Sequence, residues 1–373
     1  MPFISPNRMS KLNFKSQTLN EATSLPAPVY VDELFNKTDK QYVLKNSWQL
    51  AAHVSQLENK GDHVVHEIAG IPVIVVNTGE NDNRQSIQAF YNVCRHRGGP
   101  LALKNGNSKT LMCKYHGWNY HLNGQLKSAP EMQQNENFNV CDHKLPEIKT
   151  AIWQGFVFVT LKDDNHLPEL DEVFEGISEH IAPIDMSQMF FCRRDEFIID
   201  CNWKVYVENY LEGYHLPHVH PSLNKLLDYK SYQTELKKWH SYQFSPIDTG
   251  TTSEDNPYGD GQAHYYFAYP NTMFNILPNR VQSNQVLPIN AQQCRVVFDY
   301  YYPKLPEDAL NKLIAEDRDF SDEVQDEDIG ICEAVQKGYA SGSYTPGPLC
   351  AKRESGLHHF QELIRKIYKQ IPN

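Results

Sequence analysis

The sequence predicts an α+β protein, in which a small all-β domain precedes a larger domain built from an antiparallel sheet wrapped around long helices. Three observations support this fold class. Between Trp48 and Thr160 the chain consists of short β-prone runs separated by turn residues. After Pro168 it changes to a mixture of helical and extended segments. Two long helical segments, around 307–338 and 356–370, then close the chain.

The elements of the first domain are predicted from alternation of apolar and polar residues and from turn residues. Residues 64–76 have the pattern of a hairpin with a glycine turn, and residues 122–126 that of a tight hairpin. The other strands are expected within 86–93, 110–112 and 151–159, where β-branched and aromatic residues dominate.

The second domain is predicted to begin with helices and to continue as a sheet. Helices are expected at 170–181 and at 202–215, the second of them stopped by Pro217. The polar, turn-rich residues 240–263 predict a loop over the site. Strands are expected at 190–200, 264–269, 273–277, 281–287 and 293–302.

Charge and composition limit the possible classes of function. The chain has 35 basic and 46 acidic residues and a formal net charge of −11, which argues against nucleic acid or an anionic membrane surface as its main partner. No stretch has the length and apolar character of a membrane span, and the opening residues lack the apolar core of a signal peptide, so we expect a cytoplasmic protein. The eight cysteines are scattered along the chain, which predicts free thiols rather than a disulfide framework.

Two pairs of cysteine and histidine form the most informative pattern. One residue separates Cys94 from His96, and two residues separate Cys113 from His116. Two thiolates and two imidazoles suit a two-iron, two-sulfur cluster in which cysteines bind one iron and histidines the other. A structural zinc site is the alternative, although zinc-binding pairs are usually separated by about two to four residues. Glycines beside both pairs favour two loop tips that close over a compact cluster.

A second group of histidines, His215, His218 and His220, follows Glu212 in the sequence. A non-haem iron(II) oxygenase centre uses two histidines and one carboxylate on one face of the metal and leaves the opposite face open. A regular helix repeats about every 3.6 residues, so His215 and His220 would not share one helical face. Pro217 offers a break that lets His220 turn back towards His215.

With these motifs the chain resembles the Rieske non-haem iron oxygenases, the family of aromatic-ring-hydroxylating oxygenase alpha subunits. Within that family it is most similar to the choline, carnitine and glycine-betaine oxygenases, over residues 25–373. The resemblance is carried by Tyr91-Asn-Val-Cys-Arg-His-Arg-Gly-Gly-Pro-Leu101, by Cys113-Lys-Tyr-His-Gly-Trp118 and by the stretch from Asn202-Trp-Lys to His220. It implies an N-terminal arm and helix at 1–44 that pack with the catalytic domain, an all-β Rieske domain at 45–165, and a helix-grip mononuclear iron domain at 166–373.

The resemblance also implies a set of metal ligands. A [2Fe–2S] Rieske cluster would be bound by Cys94, His96, Cys113 and His116. A mononuclear Fe(II) would be bound by His215 and His220, with His218 as a residue of the pocket or one that supports a ligand. The third iron ligand would be Asp328, on a predicted helix that is similar to the corresponding helix of this group. Asp326 and Glu327 are its competitors, and Glu327 points about 100° away from Asp328 around the helix.

Glu212 and Asn209 are the candidate catalytic residues. In the resembling enzymes a carboxylate at the position of Glu212 links an iron-bound histidine to a cluster histidine of a neighbouring subunit, here His215 and His116. The family usually has aspartate at this position. The implied partners are an NAD(P)H-dependent flavin and iron–sulfur reductase, dioxygen and a small substrate, and the implied assembly is a homotrimer.

The implied reaction is hydroxylation of a small quaternary or tertiary ammonium compound such as choline, betaine or carnitine, with N-demethylation or C–N cleavage when the carbon next to nitrogen is oxidised. A trimethylammonium group carries charge but no N–H, so aromatic faces would bind it. An aromatic-ring hydroxylase and a non-enzymatic electron-transfer or zinc-stabilised binding protein remain alternatives. The candidate aromatic substrate residues are Tyr206, Tyr210, Tyr265, Phe267, Tyr269 and Phe274.

Overall fold

The computed structural model describes two compact units within the chain. The small unit consists of residues 44–171 and 185–191, and the large unit contains residues up to 43, residues 172–184 and residues from 192 onward. The described residues are 12–79, 86–162, 167–226, 229–244, 263–277 and 279–371. Within them, no helix is both long enough and apolar enough to cross a membrane.

The small unit is built from two antiparallel sheets. A seven-stranded sheet has the order β1-β10-β9-β4-β3-β2-β5, and a three-stranded sheet has the order β6-β7-β8. The strands are β1 (Gln49–His53), β2 (Asp62–Ile68), β3 (Ile71–Asn77), β4 (Ile87–Tyr91), β5 (Gly106–Asn107), β6 (Leu111–Met112), β7 (Asn119–Tyr120), β8 (Leu126–Ser128), β9 (Glu147–Trp153) and β10 (Phe156–Thr160).

Both faces of β3 are buried, because its side chains alternate between two cores. Val73 and Val75 pack with one cluster of buried residues, and Ile74 and Val76 pack with another that also contains Trp118. The second cluster lies beneath the two cysteine–histidine loops, since Cys94 and Cys113 belong to it. The core therefore supports the loops directly.

Two turns define the hairpins of the small unit. The predicted glycine turn between β2 and β3 is confirmed, with positive φ angles at Ala69 and Gly70. The run predicted as one strand at 151–159 is instead two strands, because the chain turns at Gln154 and Gly155, which have φ angles of 47° and 83°. Strand β10 then pairs back on β9, so the apolar run supplies two neighbouring strands.

The large unit contains a seven-stranded sheet whose order is β11-β17-β16-β15-β14-β13-β12. Its strands are β11 (Phe190–Ile199), β12 (Gln233–Leu236), β13 (His240–Phe244), β14 (His264–Ala268), β15 (Thr272–Leu277), β16 (Arg280–Asn290) and β17 (Gln293–Tyr302). The helices of the chain are α1 (Pro28–Val31), α2 (Glu33–Thr38), α3 (Leu170–Val173), α4 (Ile177–His180), α5 (Trp203–Tyr210), α6 (Leu216–Val219), α7 (Pro221–Leu226), α8 (Glu307–Ala340) and α9 (Ser355–Gln370).

One face of this sheet packs on the helices. Trp203 of α5, Cys332 of α8 and Phe360 of α9 share a buried cluster with Phe267 of β14 and Phe298 of β17. Burying each large aromatic side chain is worth roughly 1.5–3 kcal/mol relative to leaving it exposed, so this cluster fixes the three helices against the sheet. The predicted α+β class, with an antiparallel sheet around long helices, is confirmed.

Residues 12–25 lie along α9. Phe14 and Leu25 are buried, and Thr23 forms an isolated β-bridge with Pro348. The backbone N–H of Gln17 donates to Glu362, and Arg365 donates to the carbonyl of Thr23 at 2.8 Å. These contacts attach the N-terminal segment to the large unit.

The helices before the sheet differ from the prediction. The segment 170–181 forms two short helices rather than one, because Gly176 has a φ of 79°. The helix predicted at 202–215 ends at Tyr210, and Pro217 lies in the first turn of α6 instead of stopping a helix. A proline suits that position, since the first N–H groups of a helix have no intrahelical acceptor.

The sheet follows the sequence pattern closely. The strands predicted at 264–269, 273–277, 281–287 and 293–302 correspond to β14 to β17. The predicted loop at 240–263 begins as strand β13, which ends at Phe244. Residues 245–262 of that predicted loop lie outside the described residues.

Candidate metal centres and substrate cavity

Two similar loops place the cysteine–histidine pairs in the small unit. The N–H of Gly98 donates to the carbonyl of Cys94, and the N–H of Gly117 donates to that of Cys113, each at 3.0 Å. Both glycines have positive φ angles, of 73° and 75°, which glycine adopts readily. The matching turns present each cysteine towards the core and leave each histidine at the surface.

The four side chains meet at the loop tips. Cys94 and Cys113 are 3% and 2% exposed, whereas His96 and His116 are exposed, and the two imidazole rings lie 4.7 Å apart between centroids. His96 also stacks on Trp118 at 4.9 Å with an interplanar angle of 8°. Partial desolvation and the nearby charges of His116 and Arg97 lower the pKa of His96, which favours the neutral imidazole that binds metals.

The space beside Cys113 fits a cluster-binding loop. A Cβ atom on Gly99 would lie 2.8 Å from the Cys113 sulfur, so only glycine leaves room there for the thiolate and what it binds. The Tyr120 hydroxyl lies 3.3 Å from the Cys94 sulfur and accepts the Arg95 N–H at 3.0 Å. A hydroxyl donor to a metal-bound thiolate stabilises its negative charge.

A second candidate centre lies in the large unit between α5, α6 and α8. One ligand atom each from His215, His220 and Asp328 lie within 4.8 Å of one another, an arrangement that could hold a metal ion. The Nε2 atom of His220 lies 3.0 Å from Asp328 Oδ1, and that of His215 lies 4.0 Å from the same oxygen. Two imidazoles and one carboxylate on one side match the facial ligand set of non-haem iron(II) sites.

A second carboxylate holds each histidine from behind. His215 Nδ1 lies 2.6 Å from Glu212 Oε1, and His220 Nδ1 lies 2.7 Å from Glu327 Oε2. A carboxylate at Nδ1 fixes the tautomer that leaves Nε2 free for the metal and raises the basicity of the imidazole. Both histidines therefore present the same nitrogen to Asp328.

Burial lowers the pKa of His220, but the hydrogen bonds and charges of Asp328 and Glu327 outweigh this effect and raise it. The negative potential that stabilises an imidazolium would equally stabilise a bound metal cation. Asn209 Nδ2 donates to Asp328 Oδ1 at 2.6 Å and so orients this carboxylate. Asp326, one of the predicted competitors, is exposed on the other side of α8.

The local chain explains how His215 and His220 meet. Glu212 to His215 form a turn after α5 rather than a helical face, and the backbone N–H of Tyr214 and of His215 both contact the Glu212 carboxylate. Helix α6 then spans the gap between the two histidines in one turn. The predicted helix break at Pro217 is wrong, because the break begins at Leu211 and Pro217 lies in the first turn of α6.

A cavity of about 170 Å³ opens beside the triad. Its described lining combines tyrosines, one phenylalanine and several neutral amides with the triad itself. The lining includes Tyr206, Asn209, Tyr210, Glu212, His215, Leu216, His220, Leu223, Tyr232, Gln243, Tyr265, Asn275, Leu277, Arg280, Gln282, Asn284, Phe298, Asp317, Ser321, Val324, Gln325 and Asp328. Aromatic faces near an apolar wall suit a cation that carries no N–H.

The structure brings three of the six predicted aromatic substrate residues to this cavity: Tyr206, Tyr210 and Tyr265. Hydrogen bonds fix two of these hydroxyl groups. Tyr206 donates to Gln325 at 2.6 Å, and Tyr210 donates to Asn275 at 2.8 Å. The rings are thereby held in fixed orientations.

The other predicted substrate residues lie elsewhere among the described residues. Phe274 is on the opposite face of the sheet from Tyr265 and contacts Phe174, because it is paired with Tyr266 across the strands. Phe267 and Tyr269 share the face of Tyr265 but pack farther along it against Phe360. The predicted pocket residue His218 is exposed and does not line the cavity.

Several lining residues were not predicted from the sequence. Phe298 lies on the same face of β17 as Val296 and Tyr300, so the strand pattern alone predicts its position on the helix-facing side. Tyr232, Arg280 and Asp317 come from separate segments with no motif around them. Glu327, a predicted competitor for the third metal position, instead contacts His220 Nδ1, and this contact depends on where α6 places that ring.

Two family models match the chain. The model described as Rieske [2Fe-2S] domain matches residues 47–149, and the model described as ring hydroxylating alpha subunit (catalytic domain) matches residues 179–370. The first match contains both cysteine–histidine loops. The second contains the triad and the cavity.

Characterised relatives match over most of their length. A chloroplastic choline monooxygenase of Arabidopsis thaliana is 33% identical over 363 residues, covering 94% of this chain and 84% of the relative. The carnitine monooxygenase oxygenase subunit of Escherichia coli K12 is 27% identical over 390 residues, covering 99% and 100%. A solved quaternary ammonium Rieske monooxygenase, described with carnitine oxidation and inter-subunit electron transfer, has a TM-score of 0.82 at 24% identity, covering 94% of this chain and 97% of the other.

Proposed function

Because the chain belongs to the family of Rieske non-haem iron oxygenases, we propose that it is the oxygenase component that hydroxylates a small quaternary or tertiary ammonium compound. Membership makes the protein an oxidoreductase whose cofactors are a Rieske [2Fe–2S] cluster and a mononuclear iron. The proposed substrate class rests on one observation above all. The cavity beside the histidine–carboxylate triad is lined by Tyr206, Tyr210, Tyr232, Tyr265 and Phe298.

We assign the ligands from their positions. Cys94, His96, Cys113 and His116 are proposed to hold the cluster, because buried sulfurs and exposed imidazoles converge at two matching loop tips. The iron is proposed to be held by the triad of His215, His220 and Asp328. When bound, the two groups supply single-electron transfer and dioxygen activation.

The residues around the triad position its ligands. Glu212 and Glu327 fix the ring orientation of the two histidines, and Asn209 holds the Asp328 carboxylate. Glu212 is further proposed to link His215 with the cluster histidine His116 of a neighbouring subunit. This role requires a ring in which the cluster of each subunit lies next to the iron site of the following one. A homotrimer is the proposed form, supported by a relative described with inter-subunit electron transfer.

The overall reaction uses one dioxygen, two electrons and two protons. One oxygen atom enters a C–H bond of the substrate, and the other leaves as water. When that C–H bond is next to the nitrogen, the hydroxylated carbon releases the amine and an aldehyde, so N-demethylation or C–N cleavage follows. The electrons are proposed to come from an NAD(P)H-dependent flavin and iron–sulfur reductase. Cytoplasmic location stays a prediction, and one relative is named chloroplastic.

Turnover of the reconstituted holoenzyme tests this proposal. Protein loaded with iron and cluster would be mixed with an NADH-driven reductase and, separately, with choline, γ-butyrobetaine, its carboxamide and naphthalene. We expect oxygen consumption coupled to product for at least one ammonium compound and not for naphthalene. Efficient ring hydroxylation without ammonium oxidation would instead support the aromatic alternative, which the amide-rich lining of the cavity disfavours.

A pair of neighbouring aspartates provides the matched control for this assay. Asp328→Ala removes a proposed iron ligand and should abolish coupled turnover and lower the iron content of the protein. Asp326→Ala removes an exposed carboxylate two residues earlier on the same helix and should retain both. Equal iron content and turnover in the two variants would contradict the ligand assignment.

A further inference from the structure

Helix α8 runs along the length of the substrate cavity. Asp317, Ser321, Gln325 and Asp328 line it from one face of the helix, at successive steps of four, four and three residues. The eleven positions from Asp317 to Asp328 correspond to about 16 Å at a rise of about 1.5 Å per residue. Asp328 therefore marks the metal end of the cavity, and Asp317 marks the far end.

The far end carries a closed ion pair. Arg280 of β16 contacts the Asp317 carboxylate through its Nη1, and Tyr302 donates to the other carboxylate oxygen at 2.6 Å. The side chains of Arg280 and Asp317 are only 7% and 8% exposed. Among the described lining residues Arg280 is the sole lysine or arginine, so the positive charge at this end is already matched.

Neutral amides line the space between the two ends. Asn284 and Gln325 are 4% and 3% exposed, and Asn284 Oδ1 and Gln325 Nε2 have no hydrogen-bond partner within the described protein. Buried polar atoms of this kind are nearly always paired when a site is filled. An uncharged group that both donates and accepts would satisfy them, whereas a carboxylate could accept only from Gln325.

We propose that the Asp317–Arg280 pair restricts this site to ammonium compounds with an uncharged polar tail and excludes those with a carboxylate tail. This inference rests on the proposed function and specifies its substrate class. A carboxylate extending along α8 would approach Asp317 together with Arg280, and it would have to compete for a guanidinium that is already neutralised. Repulsion between like charges in a buried site is a common means of rejecting one ligand in favour of another.

An isosteric pair of substrates tests the proposal without a change of size. γ-Butyrobetaine and its carboxamide differ in charge at the tail but have nearly the same shape. With the wild-type holoenzyme we expect kcat/KM for the carboxamide to exceed that for the acid by at least about tenfold. Equilibrium binding to the same protein, measured by calorimetry, should show the same order of affinity. Equal or better use of the acid by the wild-type enzyme would overturn the inference and leave the proposed function intact.

A charge substitution provides the second arm. Asp317→Asn releases the Arg280 charge, so the ratio of acid to carboxamide should rise at least about tenfold in both kcat/KM and affinity. Asp322→Asn on the same helix removes a half-buried carboxylate that pairs with Arg318 outside the cavity lining and should leave the wild-type ratio unchanged. An unchanged ratio in a folded Asp317→Asn protein would overturn the role of Asp317.

If Asp317→Asn does not fold, the ratio of kcat/KM for the acid and the carboxamide with the wild-type enzyme still tests the inference, because that measurement needs no variant. Failure of the proposed function has a different signature. In that case neither the acid nor the carboxamide would bind or be oxidised by protein that contains its full iron and cluster, and the charge-based inference would fall with it.

Discussion

A buried carboxyl group on α5, that of Glu208, should make the stability of this protein depend on pH. Glu208 of α5 accepts from the Tyr30 hydroxyl at 2.8 Å and from Gln361 at 3.0 Å. Burial raises the pKa of Glu208 to about 7, although the hydrogen bonds from Tyr30 and Gln361 and the charge of Lys204 act in the opposite direction. The carboxyl is therefore protonated in the folded state over a range in which the unfolded chain is ionised.

The sign of the effect follows from this difference. The stability that Glu208 contributes is fully present below the unfolded pKa of 4.5 and is lost as the pH rises through about 7. Relative to Glu208→Gln, the wild-type free energy of unfolding should fall by about 3 kcal/mol between pH 4.5 and pH 8, since one pKa unit is worth about 1.4 kcal/mol. Urea unfolding of both proteins at the two values measures this.

An exposed glutamate serves as the control for Glu208. Glu307→Gln at the start of α8 should have the same stability as the wild-type protein at both pH values, because that side chain is exposed to solvent. A constant stability difference between Glu208→Gln and wild type across this range would show that Glu208 does not titrate differently in the folded state.

At the scale of elements, one turn of α8 supplies two carboxylates to one histidine. His220 lies between Asp328, at 3.0 Å from its Nε2, and Glu327, at 2.7 Å from its Nδ1. Adjacent helical residues point about 100° apart, so both can reach the same imidazole only if the ring sits between their directions. Helix α6 places the ring there.

Removing the rear carboxylate should weaken metal binding without removing a ligand. In Glu327→Gln we expect iron affinity to fall by about 10–100-fold, because an amide fixes the imidazole less well and does not raise its basicity. Asp326→Asn, a change to an exposed residue next to it, should retain the wild-type affinity. Iron titration of the two proteins, followed by metal analysis after dialysis, measures the difference. Equal retention would mean that Glu327 has no role in the metal site.

The elements also show what could be predicted from sequence. The strands β14 to β17 and helices α8 and α9 followed from periodicity, because each buries one face against a continuous core. The two cysteine–histidine pairs of the small unit were evident from their motifs, and their side chains meet at the loop tips, while their binding of a cluster stays a prediction. The end of α5 at Tyr210 did not follow from the sequence, since Leu211 to Tyr214 contain no strong helix breaker other than Gly213 and the turn is stabilised by the Glu212 carboxylate.

The cavity lining could be predicted only in part, because some of its residues are distant in the sequence and belong to no motif. Tyr206, Tyr210 and Tyr265 lie near the motif or on a strand whose alternation is clear, whereas Arg280 and Asp317 are 37 positions apart and meet only in the folded chain. No local pattern marks such a pair. The ion pair at the far end of the cavity therefore could not be predicted from the sequence.

At the scale of the whole molecule, the proposed electron route predicts complementation between inactive subunits. Cys94→Ser should inactivate the cluster of a chain, and Asp328→Ala should inactivate its iron site. In a ring where each cluster serves the next subunit, an iron site of the first variant can be served by a cluster of the second. Random mixing at equal amounts should then restore about a quarter of wild-type activity, since half of the iron sites are intact and half of those follow an intact cluster.

The mixing experiment has a clear contrary result. If each cluster served the iron of its own chain, no mixture of the two variants would regain activity, because every chain would lack one of its two centres. Co-expression of two differently tagged chains, followed by double affinity purification, selects trimers that contain both variants. In each such trimer one iron site in three follows an intact cluster, so the purified assembly should reach about a third of wild-type activity. The two variants assembled separately provide the baseline. Mass measurement of the mixed assembly tests the proposed trimer independently.

An iron held by the proposed triad would also cross-link distant parts of the large unit. His220 and Asp328, which approach to 3.0 Å, are 108 positions apart in the chain. An ion bound to both acts as a cross-link that closes this long loop, and closing a long loop removes much of the freedom of the unfolded polypeptide. Chelation should for this reason lower the melting temperature, because the link between α6 and α8 through the ion is lost. The metal proposed to enable oxidation would thus also stabilise the assembly of distant parts of the chain.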